Sequence, residues 1–156
     1  MRYIKLIIAC LFLFVNSHAQ LKSVETLVSE LNNSDFIIDH TESRSTFQFK
    51  SSAAVKLEKK GKKAACKLLR ALDNDKKDIA AHIVLCKLFY GKVSFAGPKI
   101  VTENDLHVNK YFIGKEHGEG LVISEVKTGD TYKLYIDNSE LERIKNYWKT
   151  KTGNCP

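Results

Sequence analysis

Leu121-Val122-Ile123-Ser124-Glu125-Val126-Lys127-Thr128-Gly129-Asp130-Thr131-Tyr132-Lys133-Leu134-Tyr135-Ile136 is the stretch that separates this chain from an all-helical one. Two strand-like runs, Leu121 to Val126 and Thr131 to Ile136, flank Lys127-Thr128-Gly129-Asp130. Gly129 can take the positive φ that a tight hairpin turn demands, and Tyr132, Leu134 and Ile136 line one face of the second run. Upstream, Lys110 to Ile113 reads as a third strand, and Val93 and Phe95 alternate with polar neighbours before Gly97-Pro98 breaks the chain. Together these predict a small antiparallel sheet. Downstream, Ser139-Glu140-Leu141-Glu142 has the Ser-x-x-Glu form of a capping box, opening a last helix with Leu141, Ile144, Tyr147 and Trp148 on one face. The tail Lys149 to Pro156 is expected to fray.

Before Gly91 the period is helical. Ser23 can cap a helix in which Val24, Leu27, Val28 and Leu31 share one face, ending near Asn32 and Asn33. Ser34 to Lys50 is polar, with apolar islands at Phe36 to Ile38, Phe47 and Phe49 and no sustained period, and reads as a long connection. From Ser51 to Tyr90 come three helical pieces. The first is opened by Ser51 or Ser52 and stopped by Gly61. In the second, Ala65, Leu68, Leu69 and Leu72 oppose Lys63, Lys67 and Arg70; Asp73-Asn74-Asp75 then turns the chain. The third, Asp78 to Tyr90, is apolar almost all round, the signature of a helix buried on most sides.

The chain's N-terminal end carries a different message. Arg2 and Lys5, an apolar run from Leu6 to Val15, and small Ser17 and Ala19 follow the order of a secretory signal peptide, cleaved after residue 19. The apolar run is about half of the roughly 20 residues that a membrane span needs, so no permanent span is expected. Ile7-Ile8-Ala9-Cys10 offers a lipid anchor as a rival reading. The product is a periplasmic or secreted protein, read as one domain over residues 20–156, a length near the commonest domain size. The leader holds two of the 25 basic residues and none of the 18 acids, which leaves a net charge of +5. That mild surplus, interleaved with acids, and the export signal argue against nucleic acid as a partner.

Ala53-Ala54-Val55-Lys56-Leu57-Glu58-Lys59-Lys60-Gly61-Lys62-Lys63-Ala64-Ala65-Cys66-Lys67-Leu68-Leu69-Arg70-Ala71-Leu72-Asp73-Asn74-Asp75, leading into Ile79-Ala80-Ala81, resembles a HEAT-type helical repeat. The likeness lies in the order of short helix, Gly break, small-residue helix start, Leu-Leu-x-x-Leu and acidic turn. It covers residues 53–90, one repeat and part of a second, where a solenoid normally needs three or more. The resemblance implies a helical surface that binds proteins. The expected fold is therefore α+β: N-terminal HEAT-like antiparallel helices, then a small antiparallel sheet and a C-terminal helix.

No motif implies a metal or a cofactor. The histidines His40, His82, His107 and His117 show no ligand spacing; His82 reads as a hydrogen-bonded core residue, and Glu116-His117-Gly118-Glu119-Gly120 as a solvated turn. No nucleophile motif occurs. Cys66 and Cys86 lie roughly equidistant from the turn near Asn74 to Lys77, so an antiparallel helix pair can bring them level for a disulfide; two buried thiols explain them as well. Cys155 completes an odd set of three beyond the leader. The largest charge feature is Lys56, Lys59, Lys60, Lys62, Lys63, Lys67 and Arg70, of which Lys63, Lys67 and Arg70 are the expected contacts to an acidic protein partner. The leading function is thus an exported, non-catalytic protein-binding domain, an inhibitor or immunity-type protein being one form of it. The alternative is a small metal-dependent hydrolase using His40, His107 or His117 with Asp39, Asp105 or Glu119.

Overall fold

The computed structural model describes residues 22–41, 44–103, 105–115, 118–153 and 155. The predicted leader, with Cys10, and the Glu116-His117 pair lie outside the described residues. Helix α1 (Val24–Ser29) starts where Ser23 Oγ accepts the Thr26 N–H at 3.1 Å, and it buries Leu27. A short 3₁₀ turn then leads not into a loop but into a hairpin, β1 (Phe36–His40) and β2 (Ser45–Phe49), paired Phe36 to Phe49 and His40 to Ser45. The long connection expected over residues 34–50 is therefore a two-stranded sheet.

Helix α2 (Ser52–Lys60) is capped by Ser51 and ends at Gly61, whose φ of +67° lies in the left-handed region. A 3₁₀ turn passes to α3 (Ala65–Ala71), and the Asp73 turn to α4 (Asp78–Tyr90). Lys77, the residue before α4, lends no side-chain cap. Asn33 supplies one from a distance: its Oδ1 accepts the Ala80 N–H at 3.1 Å, and its Nδ2 donates to Asp78 Oδ1 at 2.6 Å. Helix α4 is buried along nine consecutive residues, Asp78 to Cys86, as its all-round apolar sequence predicts.

The second sheet is a meander, β3 (Ser94–Glu103), β4 (Leu106–Gly114), β5 (Leu121–Thr128) and β6 (Thr131–Tyr135), antiparallel and in sequence order. Gly97-Pro98 does not end β3; it is a cis peptide inside the strand, where the register shifts between Ala96 and Lys99. A side chain at Gly97 would meet the Lys110 carbonyl at 2.8 Å, so the approach of β3 to β4 requires glycine there. Gly129, φ +62°, makes the predicted turn between β5 and β6.

Helix α5 (Asn138–Thr152) begins at Asp137 with no side-chain cap bond, so the Ser139 capping box does not form. Glu140 accepts the Val122 N–H at 2.8 Å and holds Arg143, whose Nη1 donates to the Gly118 carbonyl at 2.8 Å; this clamps α5 to the start of β5. Nor does the chain fray from Lys149, since the helix runs to Thr152 and Cys155 is bonded to Cys66.

One core joins these parts. Leu57, Leu68 and Ile83 meet Ile113, Leu121, Ile123, Ile144 and Trp148 in a single buried cluster. The class is α+β, but the HEAT-like reading is overturned: two antiparallel sheets, one of them ahead of α2, occupy much of the chain, and the helices do not repeat. The residues that carried the likeness have a local cause. Ala53, Ala54, Ala64, Ala65, Ala80 and Ala81 are all buried, where small side chains let α2 and α3 approach α4 closely.

Candidate functional site

Between Lys56 and Arg70 the chain carries seven basic residues and one acid, Glu58. The helical period turns Ala53, Ala54, Leu57, Ala65, Leu68 and Ala71 inward, so most of those cations face solvent. Glu58 does little to neutralise its own helix, because its carboxylate is paired with Lys87 of α4 at 2.9 Å.

The three expected contact residues fall into different settings. Lys63 is exposed on the 3₁₀ turn before α3. Lys67 is half-buried and paired with Glu25 of α1 at 3.0 Å. Arg70 is exposed and lines two open hollows at once. One, of about 300 Å³ between α1 and α3, also has Lys67 and Lys77 in its wall. Lys77 is occupied there, its Nζ donating to the Ser29 carbonyl at 2.7 Å at the end of α1. The other, of about 650 Å³ between α3 and the end of α5, adds Lys145 and Lys149. Lys145 is held by Asp73 at 2.7 Å and by Glu142 at 2.5 Å, which raises its own ammonium pKa. A third hollow, of about 180 Å³ with Leu27 in its wall, is edged by Lys22, Lys56, Lys59 and Lys60. The structure thus draws cations of α3 and α5 together at Arg70. The α5 lysines escape the sequence reading because they are distant in the chain, although their i, i+4 spacing places them on one helical face.

The expected disulfide is re-paired. Cys66 is bonded to Cys155 with Cα atoms 5.3 Å apart, and Cys86 is free and fully buried. Cys86 points into the core and sits 3.4 Å from His82 Nε2, whereas Cys66 lies with Leu69 and Arg70 in the wall toward α5. The two cysteines thus lie in different surroundings, one in the core and one on the wall of a surface hollow.

His82 and Cys86 do not form a nucleophilic pair. Trp148 Nε1–H donates to His82 Nδ1 at 3.1 Å, and the remaining ring nitrogen donates to the Ile113 carbonyl at 3.0 Å, which fixes the neutral tautomer. Burial pulls the imidazole down to about 4 and pushes the Cys86 thiol up, so neither the imidazolium nor the thiolate needed for attack is favoured.

Among the described residues, those named for a hydrolytic site are not assembled. His40 Nε2 meets Glu125 Oε1 at 3.1 Å, and Asn109 and Tyr111 donate to Glu125 Oε2 at 3.1 and 3.0 Å. Nothing in the strand pattern of Leu121 to Val126 marks Glu125 as the partner of a histidine 85 residues away. Burial, helped by the Glu125 charge, pushes the Tyr111 phenol up to about 12, so it stays a donor. Asp39 bonds Gln48 at 2.5 Å instead, His107 is exposed on β4, Asp105 is exposed beside it, and Glu119 is buried and accepts the Lys115 N–H. Among the described residues no group of three or more His, Cys, Asp or Glu side chains could hold a metal ion, and no helix is long and apolar enough to cross a membrane. Comparison with protein-family models, curated proteins and solved structures finds no match for this chain.

Proposed function

We propose that this chain is an exported, non-catalytic binding domain that engages an acidic protein partner through the cationic surface centred on Arg70. The observation that carries the reading is the position of Arg70 on the ridge between two open hollows, with Lys67 on one side and Lys149 of α5 on the other. Cations fixed on separate packed helices present a preorganised field, which steers an acidic partner and limits the side-chain ordering that binding requires. Export is supported by the order of charges, apolar run and small residues in Met1 to Ala19. Neutralising a toxin or an enzyme is one use such a surface would serve.

The test is affinity capture with the exported form as bait against envelope and secreted fractions of its host. A single stoichiometric partner is expected, bound more weakly as ionic strength rises and released by the combined Lys63→Glu, Lys67→Glu and Arg70→Glu variant. Lys67→Glu would oppose Glu25, so Arg70→Glu is also tested by itself, with the urea midpoint of each variant measured alongside. A partner retained at unchanged affinity by folded Arg70→Glu would sink the proposal, as would the absence of any stoichiometric partner.

A further inference from the structure

We propose that the Cys66–Cys155 disulfide is an exchange-active site that reacts preferentially with small thiols carrying negative charge. Both half-cystines are partly exposed and line the hollow of about 650 Å³ between α3 and α5, so an incoming sulfur has a path to them. Arg70 stands one helical turn beyond Cys66 at i+4, on the same side of α3, and lines the same hollow. Lys149 lines it from α5. Lys145 lines it from α5 too, paired with Glu142 and with Asp73, the one acid among the described residues of the wall, against which the three cations leave a positive balance. An exposed disulfide in cationic surroundings is the labile kind, because positive charge attracts the attacking thiolate and stabilises the one that leaves.

The chemistry balances without any group beyond the thiol. A thiolate attacks Cys155 Sγ, the S–S bond breaks, and its electron pair departs on Cys66 Sγ beside Arg70. A second thiolate attacks the outer sulfur of the mixed disulfide and releases Cys155. Two small thiols are oxidised to their disulfide, the protein disulfide is reduced to two thiols, and two protons pass from the small thiols to the cysteines. Cys86 takes no part, being fully buried against His82. The inference goes beyond the protein-binding reading and does not need a protein partner, so either can fail alone.

The experiment compares reduction of the oxidised protein by glutathione (anionic), 2-mercaptoethanol (neutral) and cysteamine (cationic) at equal thiolate concentration, quenched by alkylation and read by mass spectrometry. Glutathione is expected to react about ten-fold faster than cysteamine, with the mixed disulfide on Cys155. Combined Arg70→Gln and Lys149→Gln is expected to slow glutathione about five-fold while changing 2-mercaptoethanol less than about two-fold. A matching urea midpoint for the variant keeps that result free of unfolding. Rates independent of thiol charge would overturn the proposal, and so would a disulfide inert to glutathione until the protein unfolds. A mixed disulfide on Cys66 would overturn the assigned direction of attack.

Discussion

His82 and His40 each place an imidazole between the four-stranded sheet and an element packed on it, yet they do opposite things. His82 is enclosed, and its partners are fixed dipoles, the Trp148 indole and the Ile113 carbonyl, so the ring is a neutral pin between α4, α5 and β4. His40 is about a third exposed and stacks on Tyr132, with ring centroids 5.1 Å apart; its partner is the buried carboxylate of Glu125. There the imidazole covers a charge, with Tyr111 and Asn109 as fellow donors. The contrast teaches that a histidine's role follows from what faces each ring nitrogen and from how much water remains, not from its neighbours in sequence.

That contrast can be broken at four places. Trp148→Ala removes a fully buried indole and strands His82 Nδ1, with an expected loss of about 4 kcal/mol in urea unfolding; a loss below about 1 would dissolve the idea of a pin. The next effect is in pH. Because the folded-state value of His82 is lowered to about 4 from 6.5, the unfolded chain binds the extra proton between those values. Its contribution, about 3 kcal/mol at most, is complete above pH 6.5 and is lost as pH falls toward 4. Stability profiles of wild type and His82→Gln should therefore converge on acidification through that window, and parallel profiles would refute the assignment. Glu125→Ala leaves the Tyr111 hydroxyl without its acceptor and is expected to lose about 2 kcal/mol, with Glu125→Gln, which keeps the shape and one acceptor, losing less; the reverse order would show that the charge and not the shape matters there. His40→Ala, at the half-open side, is expected to lose about 1 kcal/mol, and a loss equal to that of Trp148→Ala would erase the distinction.

The helices from Ser51 to Tyr90 and the β5–β6 hairpin were legible because an apolar stripe, an all-round apolar run or one glycine turn decides each of them. The hairpin at residues 36–49 was not, because Phe36-Ile37-Ile38 reads as an unbroken apolar run while Ile37 in fact points outward, 52% exposed. Its alternation is hidden by an apolar residue on the solvent side. Phe47, whose ring lies tilted against Phe36 and Phe95 with centroids 5.6 and 5.2 Å away, holds the hairpin on the sheet through contacts that no local period encodes. Arg70, Lys63 and Lys67 could be named as a basic surface from spacing alone. The joining of Arg70 by Lys149, the Cys66–Cys155 bond and the choice of Glu125 by His40 are meetings of distant segments, which periodicity does not reach. The Ser139 capping box fails because α5 already starts at Asn138, which puts Ser139 inside the helix, and Glu142, the glutamate of the box, is taken by Lys145.

The order β3-β4-β5-β6 matches the order of synthesis, and that bears on how the molecule assembles in time. Each strand finds its partner across a short turn, so the meander can form through brief chain closures, whereas His40 must find Glu125 across 85 residues. The four-stranded sheet is thus expected to nucleate early, with docking of the N-terminal hairpin as the late step. Pulse-labelled hydrogen exchange during refolding would then protect amides of residues 108–126 before those of residues 36–49, and the opposite order would mean that the hairpin's aromatic contacts lead the collapse.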